Sequence, residues 1–138
     1  HIGLIYQFYN LIPILNVKEN ILLPLQLDNR DCDKSDLKEL LKLLGLENRE
    51  NHLPNELSGG QQQRTSIGRA LVTKPAIILA DEPTGNLDSK SSDEIVDLLK
   101  KSNKDLKQTI IMITHNPELA KMADRIIKIE DGKIVSEE

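Results

Sequence analysis

Apolar residues occur along the chain in short blocks whose period changes between two and about 3.6, a pattern that predicts alternating strands and helices. Ile2–Tyr6 is a brief apolar run closing on the polar Gln7 and reads as a buried strand. From Phe8 to Leu27 the chain is rich in Leu and Ile and broken by Pro13 and Pro24, so Val17–Leu23 reads as a short helix stopped by the second proline. Leucines 37, 40, 41 and 44 mark a helix over Ser35–Leu44, with Asp33 or Ser35 able to cap its start and Gly45 its end. The next helix begins beside Gly60 and runs to Val72, with Ile67, Ala70 and Leu71 inward and Gly68 permitting close approach of another backbone. Ala76–Asp81, between Pro75 and Pro83, is too short for a helix and reads as a buried strand. Ser89–Lys101 is helical, with Ile95, Leu98 and Leu99 inward, and the largely β-branched Thr109–Thr114 is expected as a central strand. Asn116-Pro117 starts a helix through Ala123, and Arg125–Glu130 with Lys133–Ser136 alternate around Asp131-Gly132, a hairpin signal.

The class is therefore α/β with a mostly parallel sheet. Residues 8–57 hold no convincing strand and are expected to form a helical subdomain inserted between a core strand at 1–7 and a second core segment at 58–138.

Composition narrows this picture. At 138 residues the chain suits one modest core, and with 2% aromatic residues Leu, Ile and Val must fill it. A net charge of −4, without a basic block, argues against a nucleic-acid partner held through phosphates. Cys32 is the only cysteine, so no internal disulfide forms, and its acidic surroundings read as a solvated loop in a reducing compartment. No apolar run reaches the length of a membrane span, and work at a membrane would go through a partner. The chain opens on His1 and runs directly into a strand, which reads as a cut start.

Three stretches carry chemistry. In Leu57-Ser58-Gly59-Gly60-Gln61-Gln62-Gln63-Arg64, a Ser hydroxyl, unhindered backbone N–H groups and a helix N-terminus converge, a cluster suited to phosphate. Asp81 and Glu82 end an apolar strand and so point to the C-terminal edge of a parallel sheet, where such folds place ligands. Phosphoryl transfer to water needs one acid to hold Mg²⁺ and one to orient or deprotonate the water, roles that suit Asp81 and Glu82 respectively. His115 directly follows another strand and can reach the same phosphate. His52 lies in a polar loop and reads as incidental.

These motifs, in this order and followed by Gly85-Asn86-Leu87-Asp88, resemble the nucleotide-binding subunits of ATP-binding cassette (ABC) transporters, a P-loop NTPase-type fold. The resemblance implies that Ser58, Gly59, Gly60 and Gln61 contact the γ-phosphate of ATP held by an opposite subunit, that Asp88 crosses the dimer interface, and that His115 is the switch histidine. It also implies that Gln7 is the glutamine whose loop senses nucleotide and Mg²⁺ and meets the membrane permease. The stretch from Gln7 to about Leu27 is more apolar than a free loop needs, so Phe8 and Leu11 are expected either in the groove that docks the permease or in the domain's own core. The subunit would act as a pair on the cytoplasmic side of the membrane, as a peripheral ATPase. The string Asp81–Ser89 looks most like the exporters of lipoproteins, macrolides and antimicrobial peptides. A soluble, non-transport cassette ATPase and a truncated, non-catalytic binding module are the alternatives.

Two departures are small: Gly68 stands where the family has Ala, and Asn116 where it often has an acid. One is large. The phosphate-binding loop G-x-x-x-x-G-K-[ST] is absent, since Gly132-Lys133 has Ile127 in place of the first Gly and Ile134 in place of the hydroxyl. The family places that loop and the adenine-stacking aromatic before Gln7, so the chain reads as the C-terminal part of a longer domain and by itself is expected to be inactive. The family's strand leading into the loop lies between those at 109–114 and 125–130, so a gap is expected there.

Overall fold

The computed structural model describes residues 2–138. Three short strands, β1 (Ile2–Ile5), β2 (Ile77–Asp81) and β3 (Thr109–Ile113), form a parallel sheet in that spatial order. Rows of the sheet are Ile2, Ile77 and Thr109, then Leu4, Leu79 and Ile111. Between β1 and β2 the chain inserts α1 (Val17–Leu27), α2 (Lys34–Leu44), a single 3₁₀ turn (Pro54–Glu56) and α3 (Gly59–Leu71). Helix α4 (Ser89–Asp105) joins β2 to β3, and the one-turn α5 (Pro117–Ala120) leads to the antiparallel hairpin β4 (Ile127–Glu130) and β5 (Lys133–Glu137).

Each helix begins and ends where its sequence supplies the missing backbone partners. Asn16 caps α1 in a capping box with Glu19, Asp33 caps α2 and Asp88 caps α4, each accepting from a first-turn N–H. Gly45 closes α2 at φ 68, and Asp131 and Gly132 turn the hairpin at φ 48 and 73, the doubly left-handed geometry of a two-residue turn. Helix α3 is the hub, packing against α1, α2, α4 and β1. Its Ile67 is fully buried, contributing about 1.5–3 kcal/mol by area. Gly68 lets α2 close in, since a Cβ there would lie 2.5 Å from Leu44 Cδ1.

Four expectations are corrected. Helix α1 runs through Pro24 to Leu27. An interior proline costs about 3 kcal/mol, but Ile21 and Leu25 on either side are buried, and two such side chains recover a comparable amount. Strands β1 and β2, expected to be buried, cover one face only: Ile5, Ile78 and Ala80 pack inward, whereas Ile2, Leu4, Ile77 and Leu79 are exposed. Strand β3, expected to be central, is an edge: β4 and β5 make a separate sheet, so the expected gap beside β3 is present. Cys32 is half-buried against the core, and that burial, ahead of neighbouring Asp36, pushes its thiol pKa up. Among the described residues no helix is long and apolar enough to cross a membrane.

Candidate functional site

The sequence-predicted residues fall into two groups. The first lies at the C-terminal ends of β1, β2 and β3. Gln7 follows β1, Asp81 ends β2 with Glu82 next, and His115 follows β3. Glu82 Oε1 accepts the backbone N–H of His115 at 3.0 Å and lies 3.4 Å from His115 Nε2. Most of the His115 ring is exposed, whereas the Glu82 side chain is only 21% exposed, so the carboxylate is fixed and the imidazole faces outward.

Glu82 adopts φ 46, a left-handed conformation that costs a residue of its type about 1–3 kcal/mol. Two backbone hydrogen bonds hold it, its N–H donating to Ile113 O at 2.9 Å and its C=O accepting from Gly85 N at 3.0 Å, and the next residue, Pro83, is buried. Gly85 leaves the space that Gln7 occupies, because a Cβ there would sit 2.7 Å from Gln7 Nε2. Gln7 and Asn86 then exchange two hydrogen bonds, Gln7 Nε2 to Asn86 Oδ1 at 3.3 Å and Asn86 Nδ2 to Gln7 O at 3.2 Å.

The second group lies at helix N-termini. Ser58 caps α3: its Oγ accepts from Gln61 N at 3.2 Å and Gln61 Oε1 accepts from Ser58 N at 2.9 Å. That capping box leaves the N–H groups of Gly59 and Gly60 as first-turn donors. Gly60 lies against Ser91 in the first turn of α4, and Asp88 Oδ1 accepts from Ser91 N at 2.8 Å. The Ser91 N–H, and then its hydroxyl, hold the Asp88 carboxyl below the usual aspartate range. Among the described residues, no side-chain hydrogen bond or ion pair joins Ser58–Gln61 to Asp81, Glu82 or His115. Helix α3 nonetheless touches the turn after Glu82, through Gln63 on Pro83 O and through Gly59 beside Leu87.

For a magnesium ion the donor chemistry fits. Asp81 offers an exposed carboxylate at the sheet edge, and Gln7 commits its amide nitrogen to Asn86 while its amide oxygen makes no hydrogen bond among the described residues. A hard cation takes such oxygens and completes its shell with water and phosphate. Among the described residues no cluster of three or more His, Cys, Asp or Glu could hold a metal by itself.

Sequence reasoning missed the residues that lace these loops together. Gln63 is fully buried in α3, and its amide donates to Tyr6 O at 3.1 Å and Pro83 O at 2.6 Å. Arg69, two turns on, donates to Tyr9 O and Asn10 O, both at 2.8 Å. Burial lowers the Arg69 pKa, with neighbouring Tyr6 opposing. Gln63 had a legible signal: it stands on the face of Ile67 and Ala70, where a polar side chain needs a partner. His52 supports the fold through its backbone, its C=O accepting from Val17 N at 2.9 Å.

A parallel sheet with a fixed Glu beside a His at its edge, and a Ser-Gly-Gly helix start elsewhere in the chain, defines the cassette class of nucleotide-binding proteins, and the chain belongs to the ABC transporter family, whose pattern matches residues 1–85. It is 43% identical over 137 residues to the lipoprotein-releasing system ATP-binding protein LolD of Cytophaga hutchinsonii, covering 98% of this chain and 63% of that protein. It is 52% identical over 135 residues to the uncharacterized ABC transporter ATP-binding protein MJ1508 of Methanocaldococcus jannaschii, covering 96% of this chain and 60% of that one. Among solved structures it resembles the dimeric, post-hydrolysis cassette MJ0796 bound to ADP and Pi, with a TM-score of 0.82 and 45% identity over 99% of this chain and 62% of that one. The chain thus spans roughly three fifths of the relatives it matches.

Proposed function

We propose that the chain supplies the hydrolytic and signature half of an ATP-binding cassette that hydrolyses ATP as a dimer and drives export through a membrane permease, from the cytoplasmic side. The observation that carries this reading is Glu82, held rigidly at the sheet edge with its carboxylate on His115 N at 3.0 Å. A fixed carboxylate orients or deprotonates the attacking water, and the exposed imidazole meets the γ-phosphate. Magnesium, held by Asp81 and Gln7, would offset phosphate charge. In a dimer, Ser58, Gly59, Gly60 and Gln61 of one chain would complete the nucleotide site of the other, with Asp88 at the crossing. The dimeric state of the MJ0796 cassette supports the same arrangement.

The permease would meet the loop after Gln7. Phe8 is 67% exposed and Ile14 83% exposed, a display of apolar area that a solvated loop does not need, whereas Leu11 is half-buried and braces it. Export rather than import is favoured by likeness to a lipoprotein-releasing relative.

The test joins this chain to the loop-bearing segment that the family pattern places ahead of Gln7. Steady-state hydrolysis of ATP is expected, and Glu82→Gln should lower kcat by at least about 100-fold with nucleotide affinity unchanged. Hydrolysis by the Gln variant at the parent rate would remove Glu82 from its role.

A further inference from the structure

The glutamine loop and the Glu82 turn are separate in sequence, and Gln63 touches both. We propose that Gln63 is a positioning residue: its buried amide ties the backbone before Gln7 to the backbone after Glu82, so that the two side chains keep a fixed relation to each other. The inference rests on the roles proposed above for Gln7 and Glu82.

The orientation of the amide follows from its neighbours. Both Tyr6 and Pro83 present carbonyl oxygens, 3.1 and 2.6 Å away, and only an NH₂ group can satisfy two acceptors at once. Gln63 Oε1 is buried and makes no hydrogen bond among the described residues, so both specific contacts of this side chain are donations to the two loops. Tyr6 directly precedes Gln7, and Pro83 directly follows Glu82. The link is short: the Tyr6 carbonyl belongs to the peptide unit that leads into Gln7, and one peptide unit separates the Pro83 carbonyl from Glu82.

The second end of the tie bears on a strained element. Glu82 is held at φ 46, a value that Asn and Asp tolerate more readily than Glu. In that conformation its carboxylate accepts from His115 N. If Pro83 O loses its donor, the turn relaxes toward an arrangement in which water reaches that carbonyl, and Glu82 moves with it. The Gln7–Asn86 exchange, with Gly85 beneath it, couples the same turn back to the glutamine loop, so one amide in α3 closes a ring of contacts through both loops.

A structural twin separates positioning from plain stability. Gln108 is also buried; its Nε2 donates to Pro75 O at 2.9 Å and its Oε1 accepts from Ser102 Oγ at 2.6 Å, at the opposite end of the sheet. Loss of either amide should lower stability, but only Gln63 touches the site.

The experiment is residue-resolved amide hydrogen exchange on this chain, comparing Gln63→Met and Gln108→Met with the parent. The reporters are the Glu82, Gly85 and His115 amides, bonded to Ile113 O, Glu82 O and Glu82 Oε1. In Gln63→Met these three should exchange at least about tenfold faster relative to amides inside α4, while Gln108→Met leaves the ratio unchanged. A ratio within about twofold of the parent in Gln63→Met, or an equal rise in both variants, overturns the proposal. Should Gln63→Met fail to fold, Gln63→Asn, whose amide is one methylene shorter and spans one carbonyl at most, carries the same comparison. In the joined cassette Gln63→Asn should lower kcat at unchanged KM. Absence of any hydrolysis in the parent cassette would count against the ATPase reading alone, because the exchange result is independent of nucleotide.

Discussion

Asp88 is a charged side chain that both caps a helix and stands where the family's dimer contact is expected. Its carboxyl is held below the usual aspartate value by Ser91, first through the N–H and then the hydroxyl. A depressed folded-state pKa means that the ionised cap stabilises the fold above the ordinary aspartate value of 3.8, and that this contribution is lost as pH falls through the lower, folded value. Thermal midpoints measured from pH 6 downward should therefore drop less steeply in Asp88→Asn, which keeps a cap but has no proton to bind, than in the parent. Parallel curves would show that the cap does not depend on charge. Glu82 and Gln63 illustrate the other kind of residue-scale constraint, in which a left-handed backbone or a buried amide nitrogen is held by hydrogen bonds to distant parts of the chain.

At the scale of elements, the decisive contact is α3 against α1 and α2. Gly68 is the point of closest approach: a Cβ would lie 2.5 Å from Leu44 Cδ1 and 3.1 Å from Ile21 Cδ1, both in side chains that are essentially fully buried. Neither has open space to turn into, so added volume must displace a helix. Gly68→Val is expected to cost about 1–3 kcal/mol in urea unfolding. Truncating the neighbour at the same time, Gly68→Val with Leu44→Ala, should cost less than the sum of the two single changes. Strict additivity would mean that the helices separate rather than compete for one space. The apolar period marked α2 and α4 in the sequence because each buries a single stripe, whereas α3, packed on several sides, was marked by its Gly-Gly start and its inward Ile67, Ala70 and Leu71. It misjudged α1 at Pro24, because the cost of a proline is local and the gain from Ile21 and Leu25 comes from the packing of another helix.

Across the whole molecule the sheet has one clothed and one bare face. Ile2, Leu4, Ile77, Leu79, Ile111 and Ile113 share the bare side, adjacent by register and 36–58% exposed. Parallel sheets are ordinarily covered on both faces, and a contiguous aliphatic surface of this kind attracts apolar ligands. The chain by itself should therefore bind an environment-sensitive apolar dye and associate with rising concentration. Leu79→Thr with Ile111→Thr, in the middle row of that face, should reduce both while leaving the unfolding midpoint nearly unchanged. Dye binding unaltered by the pair would place the apolar surface elsewhere, at the hairpin or around Phe8.

The sequence by itself determined the elements and the chemistry carried at their ends: Asp81 and Glu82 close a strand, His115 follows another, and Ser58-Gly59-Gly60 start a helix, because periodicity, caps and turn residues act within a few positions of one another. The order of those motifs was enough to indicate the family. Tertiary structure decided what lies between them. Only the fold shows that β3 is an edge, that one sheet face is bare, and that Gly85 makes room for Gln7. It alone places Gln63 between two loops. These depend on distances between residues far apart in the chain, and a carbonyl that needs a donor leaves no mark in its own sequence about which distant side chain will supply it.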